Sequence, residues 1–189
     1  MDGRDASSAH APAYERLVDV GVFHGEPIEL IGGQLVVGEP QGSYHASAIS
    51  IAEYALRAAL PPGWIVRTQM PVSLDDESEP EPDLVVVQGR PGDYRESHPA
   101  RVALAVEVAE SSLEFDRERK GSLYARAGID DYWIVNLVDR VLEVYREPEP
   151  DASAVYGWRY RSVTVLTPPA VLVPLAFTSS QVAVADLLP

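Results

Sequence analysis

The chain has no cysteine and a single lysine, Lys120, among its 189 residues. Without cysteine there are no disulfides and no thiolate metal sites, and a cytoplasmic location is the default expectation. No apolar run approaches membrane-spanning length, so no membrane partner is expected. The first residues, Met1-Asp-Gly-Arg-Asp-Ala-Ser-Ser, hold no apolar signal core, and secretion is not expected. No internal repeat is visible. Positive charge is scarce: 15 Lys and Arg stand against 29 Asp and Glu, for a net charge of −14. A protein that coats DNA non-specifically is basic, because phosphate contacts dominate its affinity. This composition excludes that class. It leaves room for a local arginine patch, and for a divalent cation held by clustered carboxylates.

The remaining composition is that of an ordinary globular protein, 46% apolar and 23% charged. Residues 1–11 are expected to be disordered and 12–189 to form one domain with a real core. A helix is predicted over Ala13–Val20, with Pro12 near its start. Ile28-Glu-Leu-Ile31, Gly32-Gly33 and Gln34-Leu-Val-Val37 read as a hairpin. Helical spacing over Tyr44–Leu60 ends at Pro61-Pro-Gly63. Strands are predicted at Trp64–Gln69, Pro71–Leu74, Asp83–Val87 and Val102–Ala109, the last apolar almost throughout, as a strand covered on both faces should be. Ser111-Ser-Leu-Glu114 reads as a capping box that opens a helix to Ala127, with Gly128 as its stop. Asp131–Leu137 and Val141–Arg146 form a second hairpin, and Glu147–Ala154 an acidic loop with proline. Strands recur at Trp158–Leu166 and Val171–Pro174. This order indicates a mixed sheet with helices packed on it.

The lone lysine gains weight from its neighbours. A surface lysine that escaped a compositional bias towards arginine is the simplest account of the count alone. Yet at about 100° per residue Lys120 lies on one face with Leu113, Asp116, Leu123, Tyr124 and Ala127, and so points inward. Phe115 falls on the opposite side, out of pattern. Glu107 is the one charge in Val102–Ala109 and shares its strand face with Ala103, Ala105 and Ala109. A buried carboxylate needs a cation, a proton or donors. The strand leads directly into the helix, so Glu107 and Lys120 can meet. Asp83 opens a strand after Pro82, although its place at the end of an acidic loop accounts for it equally well. Glu29 alternates with apolar Ile28 and Leu30, and an edge residue facing water fits as well as a site residue. Asp116 and Lys120 also fit an ordinary i,i+4 pair. His45, early in a helix, is the best histidine candidate, against a structural role. Tyr132 and Trp133 read as core aromatics. Arg117, Arg119 and Arg126 read as solvated helix residues rather than phosphate contacts. Carboxylates of this kind can hold Mg²⁺, which activates water and neutralises phosphate charge.

Pro82-Asp83 followed by Glu107-Val-Ala109 resembles the core of the PD-(D/E)XK nuclease superfamily, in which an Asp and an acidic-x-Lys on adjacent strands bind the metal. Ala109 stands where that pattern places lysine. A lysine reaching in from the following helix is a variation of the superfamily, and Lys120 fits it. A finer resemblance is to the Uma-two family of restriction-type endonucleases. It rests on Ile28-Glu29-Leu-Ile-Gly-Gly-Gln-Leu, His45, Glu81-Pro-Asp83-Leu-Val-Val-Val, Val106-Glu107-Val-Ala-Glu-Ser111, Asp116, Lys120, Tyr124 and Ala127-Gly-Ile-Asp-Asp-Tyr-Trp-Ile-Val135, and covers roughly residues 13–188. The resemblance implies an α/β (α+β) fold: a restriction-endonuclease-like mixed β-sheet flanked by helices, with additional β-hairpins. It implies Glu29, Asp83, Glu107 and Lys120 around Mg²⁺, with Mn²⁺ as a substitute.

The expected function is a Mg²⁺-dependent endonuclease acting on DNA. Asp83 and Glu107 would ligate the metal, Glu29 would ligate or orient it, and Lys120 would serve the attacking water. The alternative is a nuclease-fold binding or assembly module that no longer cuts, which the net charge favours. A hydrolase of small phosphoesters would share the metal site but need a deep closed pocket. A homodimer is expected of an enzyme that cuts two strands.

Overall fold

A computed structural model of the protein describes residues 9–38 and 40–189. Residues 1–8, on which most of the expected disordered stretch falls, and Glu39 lie outside the described residues. Ala9 already donates to the Gly33 carbonyl, and the first helix, α1 (Ala11–Asp19), starts with Pro12 at a position that needs no N–H. The hairpin β1 (Ile28–Ile31) and β2 (Gln34–Val37) turns at Gly32-Gly33, both at positive φ, as the sequence predicts.

The centre is a six-stranded sheet in the order β3-β4-β5-β6-β7-β8. Its strands are β3 (Trp64–Thr68), β4 (Leu84–Gln88), β5 (Leu104–Ala109), β6 (Asp131–Asn136), β7 (Val141–Pro150) and β8 (Trp158–Leu166). All neighbours are antiparallel except β5 and β6, which run parallel. Parallel neighbours need a crossover, and here it is the third helix. That helix joins three pieces without a break: an α turn at Leu113–Phe115, a π-helical turn at Asp116–Lys120 and an α segment at Gly121–Arg126.

The central strands are apolar on both faces because both faces are covered. Leu84, Val86, Leu104, Val106 and Val108 pack towards α2 (Ser43–Ala59) and the C-terminal segment. Val85, Val87, Ala105 and Ala109 pack towards the third helix, with Tyr124, Tyr132, Tyr145 and Tyr160. Helix α2 meets the sheet through Ala48, Ile49, Ala52 and Leu56. Burial of one such leucine contributes about 1.5–3 kcal/mol. The α/β (α+β) class, with a mixed sheet flanked by helices, is therefore the observed one. Among the described residues no helix is long and apolar enough to cross a membrane.

Several local expectations fail for physical reasons. Pro71–Leu74 is not a strand: its amides bond to loop carbonyls at Pro80, Pro99 and Ser78, so no ladder forms. Glu147–Pro150 is not a loop but the end of β7. It pairs only with β8, past the last β6 partner at Asp131, so Pro148 and Pro150 lack donors where no strand needs them. The helix opens one residue later than the capping box implies: Ser112 is its N-cap, without a side-chain cap, and the Ser112 hydroxyl donates to the Asp116 side chain (2.6 Å). Ser122, off the face that holds Lys120, is buried all the same. Its hydroxyl bonds to Trp158 and Tyr156, where the β7–β8 end folds over the helix. Ala127 is exposed, because the helix ends one residue before it.

Candidate active site

The pairing of β4 with β5 sets the first two carboxylates. Asp83 precedes β4, and β4 pairs with β5 through Leu84 opposite Val106. The backbone N–H of Val108 donates to Asp83 Oδ2 (2.8 Å), and the Asp83 N–H points at Glu107 Oε2 (3.4 Å). Each carboxylate is thus oriented by the other strand's backbone. Glu29 arrives on the β1–β2 hairpin, which is tied to the chain before β4. Glu79 N–H donates to the Leu30 carbonyl (2.7 Å), and Glu81 N–H to Glu29 Oε2 (2.9 Å). A side chain at Gly32 would strike the Tyr156 ring, with 2.3 Å left to its nearest carbon, so the turn that presents Glu29 requires glycine.

Lys120 comes from the π turn. Its Nζ lies 3.0 Å from Glu107 Oε1 and 3.7 Å from Glu29 Oε2. Tyr124, one turn on, donates to the same Glu107 oxygen (2.6 Å). The π turn is pinned by Tyr132, whose hydroxyl donates to the Asp116 carbonyl (2.9 Å). Such turns inside α-helices occur frequently at functional sites. Asp116 is buried beside Lys120, and His45 Nε2 stands 3.9 Å from Asp83 Oδ2. The structure therefore brings together Glu29, His45, Asp83, Glu107, Asp116 and Lys120, which all line one half-open cleft of about 420 Å³.

Electrostatics explain the pairing. Burial pulls the Lys120 pKa down, but Glu107, Glu29, Asp116 and Asp83 outweigh it and hold the ammonium above its ordinary value. Burial drives Glu107 well up, and Asp116 and Asp83 add to it, against the pull of Lys120 and the Tyr124 hydrogen bond. Burial likewise lifts Asp116 to about 6, against Lys120 and Ser112. The Asp83 carboxylate raises His45 in spite of that residue's burial. Lysine here is a fixed cation. It can orient a water or stabilise developing negative charge; it is not a base as it stands.

Six carboxylates line the cleft (Glu29, Glu81, Asp83, Glu107, Glu110 and Asp116) against one ammonium. Hard oxygen donors in excess suit Mg²⁺ or Mn²⁺ in chemistry. As they lie, no three Asp, Glu or His side chains among the described residues converge on one point. Glu107 gives its oxygens to Lys120, Tyr124 and the Asp83 amide.

Sequence reasoning missed Tyr124 as a partner of Glu107. Its position one turn from Lys120 on the same face was the available signal. It also missed Phe115, which is half-buried and lines the cleft. Nor are the helix arginines simply solvated: Arg117 pairs with buried Glu143, and Arg126 with Asp75 (2.7 Å). Tyr132 and Trp133 are core aromatics as expected.

Known proteins share this chain's family pattern and its fold. The sequence model of the Uma2 family, described as "Putative restriction endonuclease", matches residues 11–185. No curated protein matches. Among solved structures, the chain is similar to the crystal structure of "a putative nuclease belonging to DUF820" from Anabaena variabilis. The TM-score is 0.62 at 17% identity, over 85% of this chain and 88% of that one. At that identity the likeness is one of fold.

Proposed function

Since the chain belongs to the Uma2 family, we propose that it is a Mg²⁺-dependent endonuclease that hydrolyses DNA phosphodiester bonds in the cleft between β4, β5 and the third helix. The observation that carries the reading is Lys120 Nζ, 3.0 Å from Glu107 in a cleft shared with Asp83 and Glu29. Asp83 and Glu107 would hold the ion, with Glu29 beside them. The ion, when bound, supplies activated water and charge neutralisation at the phosphate. The protein's own groups do the positioning. Val108 N–H fixes Asp83, Tyr124 fixes Glu107, and Lys120 presents an ammonium where negative charge develops. His45 stands beside Asp83 at the same cleft and can carry a proton there. A paired homodimer would let two such sites address two strands.

The test is cleavage of a supercoiled plasmid and of single-stranded circular DNA with Mg²⁺ or Mn²⁺. Wild type should cut, while Glu107→Gln and Lys120→Ala should lose at least a hundredfold. No cleavage of either DNA, or cleavage unchanged in both variants, refutes the catalytic reading. One observation favours a second reading, that of a binding module: among the described residues no three ligands converge, on a chain of net charge −14. Calorimetric Mn²⁺ titration separates the two. A nuclease site binds Mn²⁺ in a manner that Asp83→Asn and Glu107→Gln abolish; an interaction module does not.

A further inference from the structure

The cleft is too small and too acidic to follow a duplex. At about 420 Å³ it lies at the lower end of single-ligand sites, on the scale of a nucleotide. No arginine lines it, and its one fixed cation is Lys120. Elsewhere the arginines are spent. Of the thirteen among the described residues, eight are ion-paired with Asp or Glu, and Arg67 is buried. A protein that follows duplex DNA makes about six to ten phosphate contacts. The described surface offers no such track.

The mouth of the cleft offers something else. Phe115 lines it from the third helix, and Val36, Val37 and Pro40 from the hairpin side. The Arg119 guanidinium lies over the Phe115 ring, 6.0 Å from its centre, and donates to Gln34 on β2 (3.3 Å). Among the described residues Arg119 makes no carboxylate pair. A half-buried aromatic ring beside a guanidinium that no described carboxylate neutralises, one turn from the site lysine, is the combination that single strands use: a face for a base and a charge for its phosphate. It also gives a purpose to Phe115, which the helical pattern leaves on the wrong face.

We propose that the cleft binds single-stranded DNA, one base stacking on Phe115 and its phosphate meeting Arg119, with the neighbouring phosphate directed to Lys120. This rests on the nuclease reading and narrows its substrate to single strands, flaps or frayed ends.

Fluorescence anisotropy tests it with a labelled 20-nucleotide single strand and the same sequence as a duplex, in Ca²⁺, from 50 to 400 mM NaCl. The single strand should bind at least tenfold tighter, with a log–log salt slope shallower than about −3, since each phosphate contributes about −0.7. Phe115→Leu, which keeps apolar bulk, should weaken single-strand binding at least fivefold, and Phe115→Trp should retain it. Arg119→Gln should flatten the salt slope by about one contact. Duplex preference, a slope of −5 or steeper, no single-strand binding, or full affinity in Phe115→Leu each overturns the proposal. Cleavage that favours duplex overturns this inference alone. Loss of all cleavage overturns the nuclease reading, and the anisotropy still decides the strand preference.

Discussion

Replacing Lys120 by methionine tests whether the lysine is bound into the cleft as a charge or merely packed there. Methionine keeps most of the stem and removes the ammonium. Glu107 has a side chain only 3% exposed, and would be left with the Tyr124 hydroxyl and a long contact to the Asp83 amide. Breaking a buried pair by removing one partner costs about 3–5 kcal/mol. Glu107 has an escape, which is to take up a proton. Its pKa is already raised by burial, and losing Lys120 raises it further. The folded variant then holds a proton that the unfolded chain, with a glutamate near pH 4.3, releases. Between those two pKa values stability falls as pH rises, by about 1.4 kcal/mol per unit. A loss of about 3 kcal/mol at pH 7 should shrink to well under 1 kcal/mol by pH 5. For 189 residues, at about 2.1 cal/mol/K each, that loss lowers Tm by roughly 8 °C at pH 7.

The assay is thermal or urea unfolding in EDTA at pH 5, 6, 7 and 8, for wild type, Lys120→Met, Glu107→Gln and the double variant. The double variant should recover most of the loss at pH 7, because it buries no charge, and the coupling between the two sites should exceed 1 kcal/mol. A Lys120→Met deficit that is flat with pH, or one that Glu107→Gln does not relieve, refutes the reasoning. It would mean that the pair is held apart by solvent and that burial is not what sets its charge.

Tyr124→Phe removes one hydrogen bond to a buried carboxylate, and should cost about 1.5–3 kcal/mol in urea unfolding and weaken Mn²⁺ binding measured by calorimetry. Gly32→Ala meets both a positive φ and the Tyr156 ring. It should cost at least about 1 kcal/mol, and nuclear magnetic resonance shifts should spread to Glu29 and Glu81. Glu79, buried with Oε2 unpartnered, has its pKa raised to about 7 by burial and by nearby Glu15 and Glu81. Its raised pKa means that wild-type stability declines from about pH 4.5 to 7. Glu79→Gln should flatten that decline, by an amount on the order of 3 kcal/mol over the window; an unchanged pH profile counts against it.

How much of this was legible in the sequence depended on range. Period-two and helical patterns place β5, α2 and the inward stripe of the third helix, because both faces of each are set by the chain's own neighbours. The hairpin at Gly32-Gly33 is legible because positive φ leaves few residues to choose from. Position Pro71–Leu74 misleads because its apolar residues are buried by loops, without a ladder. The burial of Ser122 is not legible, because what covers it lies 34 to 36 residues away, at Tyr156 and Trp158. In the site, Glu107 and Lys120 are legible as one polar residue each in an apolar setting. Phe115 is not, since its surroundings belong to a cleft closed by a hairpin far earlier in the chain.

The π turn explains why the lysine can stand on a helix at all. Asp116, Lys120 and Tyr124 follow at intervals of four, and in a regular α-helix each step of four drifts by about 40°. Three such residues would fan out, and one would leave the cleft. The wider turn over Asp116–Lys120 takes back the drift before Tyr124, so all three stay buried on the side of Glu107. Tyr132 holds that turn open through the Asp116 carbonyl, and Tyr132 lies on β6, the strand that pairs with β5. A strand lysine at position 109 would need none of this, but Ala109 is wholly buried against the third helix and leaves it no room. The displaced lysine, the π turn and the small residue at Ala109 are therefore one device. Ala109→Lys should not restore activity to Lys120→Ala, and should cost stability as an overpacked, charged core substitution, by more than about 3 kcal/mol in urea unfolding. Rescue of cleavage by Ala109→Lys would show that the two positions are interchangeable and that the turn serves another purpose.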